Sequence, residues 1–137
     1  MDKGSVRVLL IGESENGFSS LFRWLEEQEC LCEFASSYGE GVRLFADQPF
    51  DVVLCSGQPG IRTLFPSVVA SRASLFCAHA IEDSCLWVPV ILRGEECLGR
   101  SPLRPREFAG TLQRIVEELK SSASGRAARR SKLMSLG

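Results

Sequence analysis

No apolar run in this chain approaches the ~20 residues that a membrane span needs. The opening Met1-Asp2-Lys3-Gly4 leads straight into a strand-like run and does not resemble a signal peptide. Both absences set membrane and exported classes aside and favour a cytoplasmic protein. The thiols lack a metal-binding layout. There are 6 cysteines, but Cys30 and Cys32 form a C-x-C with no second cluster at zinc-like spacing. Cys55, Cys77 and Cys85 sit inside apolar runs, where a free thiol behaves as a small core residue in a reducing compartment. Neither a metal nor a cofactor is expected. Acidic residues are missing from Ser121 onward, where Arg126, Arg129, Arg130 and Lys132 stand. The rest of the chain then carries 12 basic against 17 acidic residues, a formal charge of −5 that the overall −1 conceals. That tail has no aromatic residue, which makes nucleic-acid binding a poor reading of it. Internal repeats are absent too.

What is present suits one soluble domain. The 137 residues, 45% hydrophobic and 24% charged, are enough to bury a core without staples. Val6 to Ile11 is almost continuously apolar, as in a strand covered on both faces. Phe18, Leu21, Phe22 and Leu25 then recur at helical spacing, and Cys30 to Ala35 reads as a second strand. Ser36 and Ser37 offer caps to a helix carrying Val42, Leu44 and Phe45, which Pro49 closes. Asp51 to Ser56 is the organising strand, ended by Gly57, Pro59 and Gly60. A weaker helix from Ile61 to about Ala70, interrupted by Pro66, leads to a fourth strand, Ser74 to Ala80. Ile81 to Leu92 is ambiguous: Trp87, Val90 and Ile91 look helical, yet Pro89 lacks the N–H of an interior turn. Glu96 to Arg100 fits a short fifth strand. The clearest helix places Phe108, Leu112, Ile115, Val116 and Leu119 on one face. The pattern predicts one folded domain over 1–120 and a disordered basic tail over 121–137.

Alternating strands and helices imply a parallel sheet with right-handed crossovers. Three stretches carry a more specific likeness: Arg7 to Ser14, Phe50 to Gly60, and Gly94-Glu95-Glu96-Cys97-Leu98-Gly99-Arg100-Ser101-Pro102-Leu103. In their order and separations they resemble the response-regulator receiver domain over about residues 6 to 119. The resemblance implies a flavodoxin/CheY-like three-layer sandwich, with a five-stranded parallel sheet in the order 2-1-3-4-5 and helices on both faces. It also implies a two-component signalling role, but the family's site is degenerate here. The magnesium-binding acidic pair falls on Gly12 and Glu13, and the phospho-acceptor falls on Ser56. The hydroxyl residue ending the fourth strand falls at His79, the lysine falls on Ser101, and the aromatic switch becomes Leu98. Without the acceptor aspartate no acyl phosphate forms, so a phosphorylation-independent pseudo-receiver is expected.

Two functional expectations follow. The first is an interaction domain, with no catalytic residues, that binds a protein partner or a second copy through Trp87, Val88, Pro89 and Leu103. This face follows the fourth strand, where receivers commonly dimerise. The alternative is a small hydrolase using Glu13, Ser56 and His79, which the family's strand order would bring to one edge as a nucleophilic triad. No Gly-x-Ser-x-Gly elbow surrounds Ser56, which counts against it.

Overall fold

The computed structural model describes residues 6–12, 19–56, 60–81, 84–97 and 101–136. The strands are β1 (Arg7–Ile11), β2 (Leu31–Ala35), β3 (Val52–Ser56), β4 (Ser74–Ile81), β5 (Ser84–Leu92) and β6 (Glu95–Glu96). The helices are α1 (Ser19–Glu27), α2 (Tyr38–Asp47), α3 (Phe65–Ala70) and α4 (Pro105–Leu136), with a 3-10 turn, Ile61–Leu64, leading into α3. The sheet order is β2-β1-β3-β4-β5-β6. Strands β1 to β4 are mutually parallel, β5 pairs antiparallel with β4, and β6 pairs antiparallel with β5.

The five-stranded, all-parallel sheet expected from the sequence is therefore not formed. The fold is α/β with a mixed six-stranded sheet. Only residues 82 and 83 separate β4 from β5, whereas a crossover between parallel strands needs a dozen or more. A hairpin is what so short a connection permits. β5 then turns into β6 through Arg93 (φ 52°) and Gly94 (φ 83°), two left-handed residues as a two-residue hairpin demands. At Gly94 a side chain would also have no room, since a Cβ there would lie 3.1 Å from the Cα of Arg72. Pro89 does not break a helix in this arrangement. It lies in β5 opposite Phe76, beside a bulge that leaves Val90 without a partner residue in β4.

Each face of the sheet has its own core. Val8, Leu10, Val52, Leu54, Phe76 and Trp87 pack under Leu25 of α1 and Phe108, Leu112 and Val116 of α4. On the other face, Leu9, Ile11, Val53, Cys55, Leu75 and Ile91 pack under α2 and α3 through Tyr38, Phe45 and Val68. The near-continuous apolar runs of β1 and β3 serve both layers at once. Burial of β1 and β3 is complete apart from their end residues Arg7 and Ser56.

Local chemistry fixes the helix starts. Ser37 caps α2 by accepting the Glu40 N–H (3.2 Å), while the Glu40 carboxylate reaches back to the N–H and hydroxyl of Ser36. This is a reciprocal cap satisfying donors at both ends of the first turn. Pro66 sits in the first turn of α3, where a missing N–H is harmless. The last helix, α4, runs from Pro105 to Leu136.

Candidate functional site at the carboxyl edge of the parallel strands

In an open α/β sheet, ligands enter where neighbouring strands connect in opposite directions, beyond the carboxyl ends. Here that point lies between β1 and β3. Gly12 follows β1 and Ser56 ends β3, and the N-terminus of α2 approaches from the β2 side. Glu13, the remaining carboxylate expected at this edge, lies outside the described residues, as do Gly57, Pro59 and Leu98.

The crevice on the α2 side holds Tyr38, the first residue of α2. Its ring is buried, and its hydroxyl donates to the backbone carbonyl of Ser56 at 2.7 Å. The same hydroxyl is within hydrogen-bonding reach of the Cys55 thiol. Gly41 allows this closeness. A Cβ at that position would stand 2.7 Å from the Ile11 Cδ1, so α2 lies low over β1.

The register separates the residues proposed as a triad. Ser56 pairs with Ala78, whose side chain packs into the α1/α4 core, and adjacent paired residues share a face. His79, one residue further along β4, therefore points to the opposite face, on the same side as Cys77. It is exposed and pairs only with Leu86 of β5, because β4 outruns β3. Ser56 and His79 are thus not brought together. Ser101 is exposed ahead of Leu103, distant in sequence order from any element of this edge.

The partner face is also rearranged. Trp87 is buried, with 8% of its surface exposed, and stacks on Phe108. Its N–H and carbonyl both bond to Leu103, at 2.8 and 2.7 Å, which closes the outer side of β5. Pro89 is buried, and Val88 and Leu103 are half-buried. The indole of Trp87 is thus packed into the core of the fold, with little of it left to solvent.

One group at this edge escaped sequence reading. Cys55 and Cys77 are direct neighbours in the β3–β4 register, with both side chains on the α2/α3 face. Cys55 donates its thiol proton to the Phe76 carbonyl at 3.5 Å, and Cys77 donates to the Ala78 carbonyl at 3.9 Å. The neighbouring Cys55 draws the Cys77 thiol down to about 7 against the effect of burial. The Cys55 thiol is pushed up by Cys77 and by its own burial. A signal existed: each cysteine is the fourth residue of its strand run, Val52-Val53-Leu54-Cys55 and Ser74-Leu75-Phe76-Cys77. Parallel pairing of those runs in step puts the cysteines side by side.

Among the described residues no group of three or more His, Cys, Asp or Glu side chains is placed to hold a metal ion. No helix among them is long and apolar enough to cross a membrane. Comparison with known proteins finds no matching family model, no matching curated protein and no matching solved structure.

Proposed function

We propose that this chain is a phosphorylation-independent protein-interaction domain of signalling type, without enzymatic activity of its own. The observation that carries the reading is Tyr38. It fills the crevice where this class of sheet takes ligands, and it bonds the carbonyl of the residue standing at the acceptor position. Ser56 and the chain's only histidine project from opposite faces of the sheet, which counts against a hydrolytic triad built on that pair.

The contact surface in this reading lies at the β2 end of the sheet. Among the described residues β2 has a sheet neighbour on one side only. Phe22 on α1 and Leu31 on β2 are 36% and 38% exposed, two of the three large apolar side chains left in solvent among the described residues. Exposed apolar groups beside an edge strand are what partner proteins and second copies use.

Acetyl phosphate with magnesium tests the first half of this reading. Intact-mass spectrometry is expected to show no hydroxylamine-labile phosphoryl adduct. p-Nitrophenyl esters test the second half: wild type and Ser56→Ala should release nitrophenol equally slowly. A stoichiometric adduct, or ester turnover lost in Ser56→Ala, overturns the proposal.

A further inference from the structure

We propose that Cys77 and Cys55 are a peroxide-sensitive thiol pair, oxidised by small hydroperoxides to a disulfide that bridges β3 and β4. Three features of the fold lead to this pairing. The two residues are direct neighbours in the β3–β4 register, and both side chains lie on the α2/α3 face. Neighbouring strands stand about 4.7–4.9 Å apart, within the Cα separation of about 4.4–6.8 Å that a disulfide spans. The thiols now donate to the Phe76 and Ala78 carbonyls at 3.5 and 3.9 Å, so closure asks the two side chains to rotate away from those acceptors and toward each other.

Burial divides the roles. Cys55 is wholly buried, and its thiol donates to the Phe76 carbonyl at 3.5 Å. Cys77, in the middle of β4, is half-buried. The accessible thiol attacks, and the buried one resolves. Cys30, Cys32 and Cys85 are worse placed. Burial raises the thiols of Cys30, Cys32 and Cys85, which lowers their thiolate fraction. The depressed Cys77 thiol agrees with the assignment drawn from the register.

The chemistry balances with one hydroperoxide. The Cys77 thiolate attacks one peroxide oxygen, the S–O bond forms as the O–O bond breaks, and an alcohol (water from hydrogen peroxide) leaves after taking a proton. Cys77 is then a sulfenic acid. The Cys55 sulfur attacks it, the S–S bond forms, the S–O bond breaks, and water leaves with the Cys55 proton. Two thiols are oxidised to one disulfide while the peroxide is reduced.

The test uses the full chain, reduced, then exposed to a small excess of hydrogen peroxide. Free thiols are alkylated in denaturant and the peptides mapped. The expected result is a Cys55–Cys77 cross-linked peptide within one chain, with both residues lost from the alkylated pool. In Cys55→Ala, Cys77 should stop at the sulfenic acid and be captured by dimedone; in Cys77→Ser, Cys55 should remain a thiol. Oxidation in denaturant controls for random pairing and should abolish the preference. The proposal is overturned if both thiols stay alkylatable while the exposed Cys85 reacts. It is equally overturned if the bridge joins other cysteines, or if the same pair forms as readily in denaturant. The wild-type map decides the matter even if a variant fails to fold.

Discussion

The indole of Trp87 lies flat against the ring of Phe108, centroids 4.2 Å apart and planes 9° from parallel. Phe108 in turn meets Phe76 edge-on at 5.3 Å. Three aromatic rings thus join β4, β5 and α4 into one block. Offset stacking and edge contacts of this kind add to the gain from burial itself. Truncating the indole leaves a large void in a tightly packed layer. Trp87→Ala should lower stability by about 3–5 kcal/mol, read as a shifted urea midpoint. Phe108→Leu should cost less, since the replacement keeps most of the volume.

The stacked pair also marks where sequence reading reached its limit. Trp87, Val90 and Ile91 fall at helical spacing, but the spacing has another source. The bulge beside Pro89 places Val90 and Ile91 consecutively on the α2/α3 face while Trp87 faces α4. A strand with a bulge imitates a helix over such a short window, and periodicity alone does not tell them apart. The strands β1 to β4, the helices α1 and α2 and the start of α4 were legible from apolar spacing and end signals, whereas α3 carried only a weaker pattern, read as interrupted by Pro66. Direction of β5 was not, although the two residues between it and β4 contained the answer. At the site, the sequence named Ser56 and His79 by analogy, but only register decides which face each one takes. The Tyr38 plug needed the height of α2 above the sheet, which depends on Gly41 and leaves no periodic trace.

Gly41 gives the next prediction. Gly41→Ala adds a methyl that meets Ile11 at 2.7 Å, so either the Ile11 rotamer changes or α2 lifts. The gain in helix propensity, about 1 kcal/mol, is opposed by overpacking of about 1–3 kcal/mol. Net destabilisation is expected. The same lift should weaken the Tyr38 hydroxyl contact, visible as a more exposed tyrosine in ultraviolet difference spectra.

Tyr38→Phe isolates that contact. The variant keeps the ring but leaves the Ser56 carbonyl without the 2.7 Å donor. A loss of about 0.5–1.5 kcal/mol is expected for a neutral hydrogen bond. Thermal or urea unfolding measures it. An unchanged midpoint would show that the hydroxyl adds nothing to closure of the crevice.

The α2 cap makes stability depend on pH. The Glu40 carboxyl is held below its ordinary value of 4.5, first by the Ser36 N–H and then by the Ser36 hydroxyl. A carboxyl lowered by folding stabilises the fold above its unfolded value, and this contribution disappears as pH falls through the folded value. Melting temperatures of wild type and Glu40→Gln should therefore differ at neutral pH and converge once the medium is acidic enough to protonate Glu40. Ser37→Ala, by contrast, should cost about 1 kcal/mol at every pH, because its cap is uncharged. Parallel pH profiles for wild type and Glu40→Gln would remove the carboxylate from the cap.

The last prediction separates the two surfaces on which a partner has been placed. If binding runs through the face of Trp87, then Trp87→Phe, which preserves the stack, should change capture of a partner from native cell extract. With Trp87 8% exposed, no such change is expected. Phe22→Glu and Leu31→Glu should act differently. Each puts a charge at a position already open to solvent, so the fold should tolerate it, with stability changing by about 0.5 kcal/mol or less. At a contact, however, the loss of an apolar anchor commonly costs about 2 kcal/mol, roughly thirty-fold in affinity. Val69→Glu is the control, since Val69 is 44% exposed but belongs to α3, on the other side of the molecule's sheet from α1. Capture lost in Phe22→Glu and Leu31→Glu but kept in Val69→Glu and Trp87→Phe places the interface at the β2 end. Sedimentation of the purified chain, with and without the same substitutions, distinguishes a second copy from a different protein. If all four variants capture the partner as wild type does, the β2 end is not the interface.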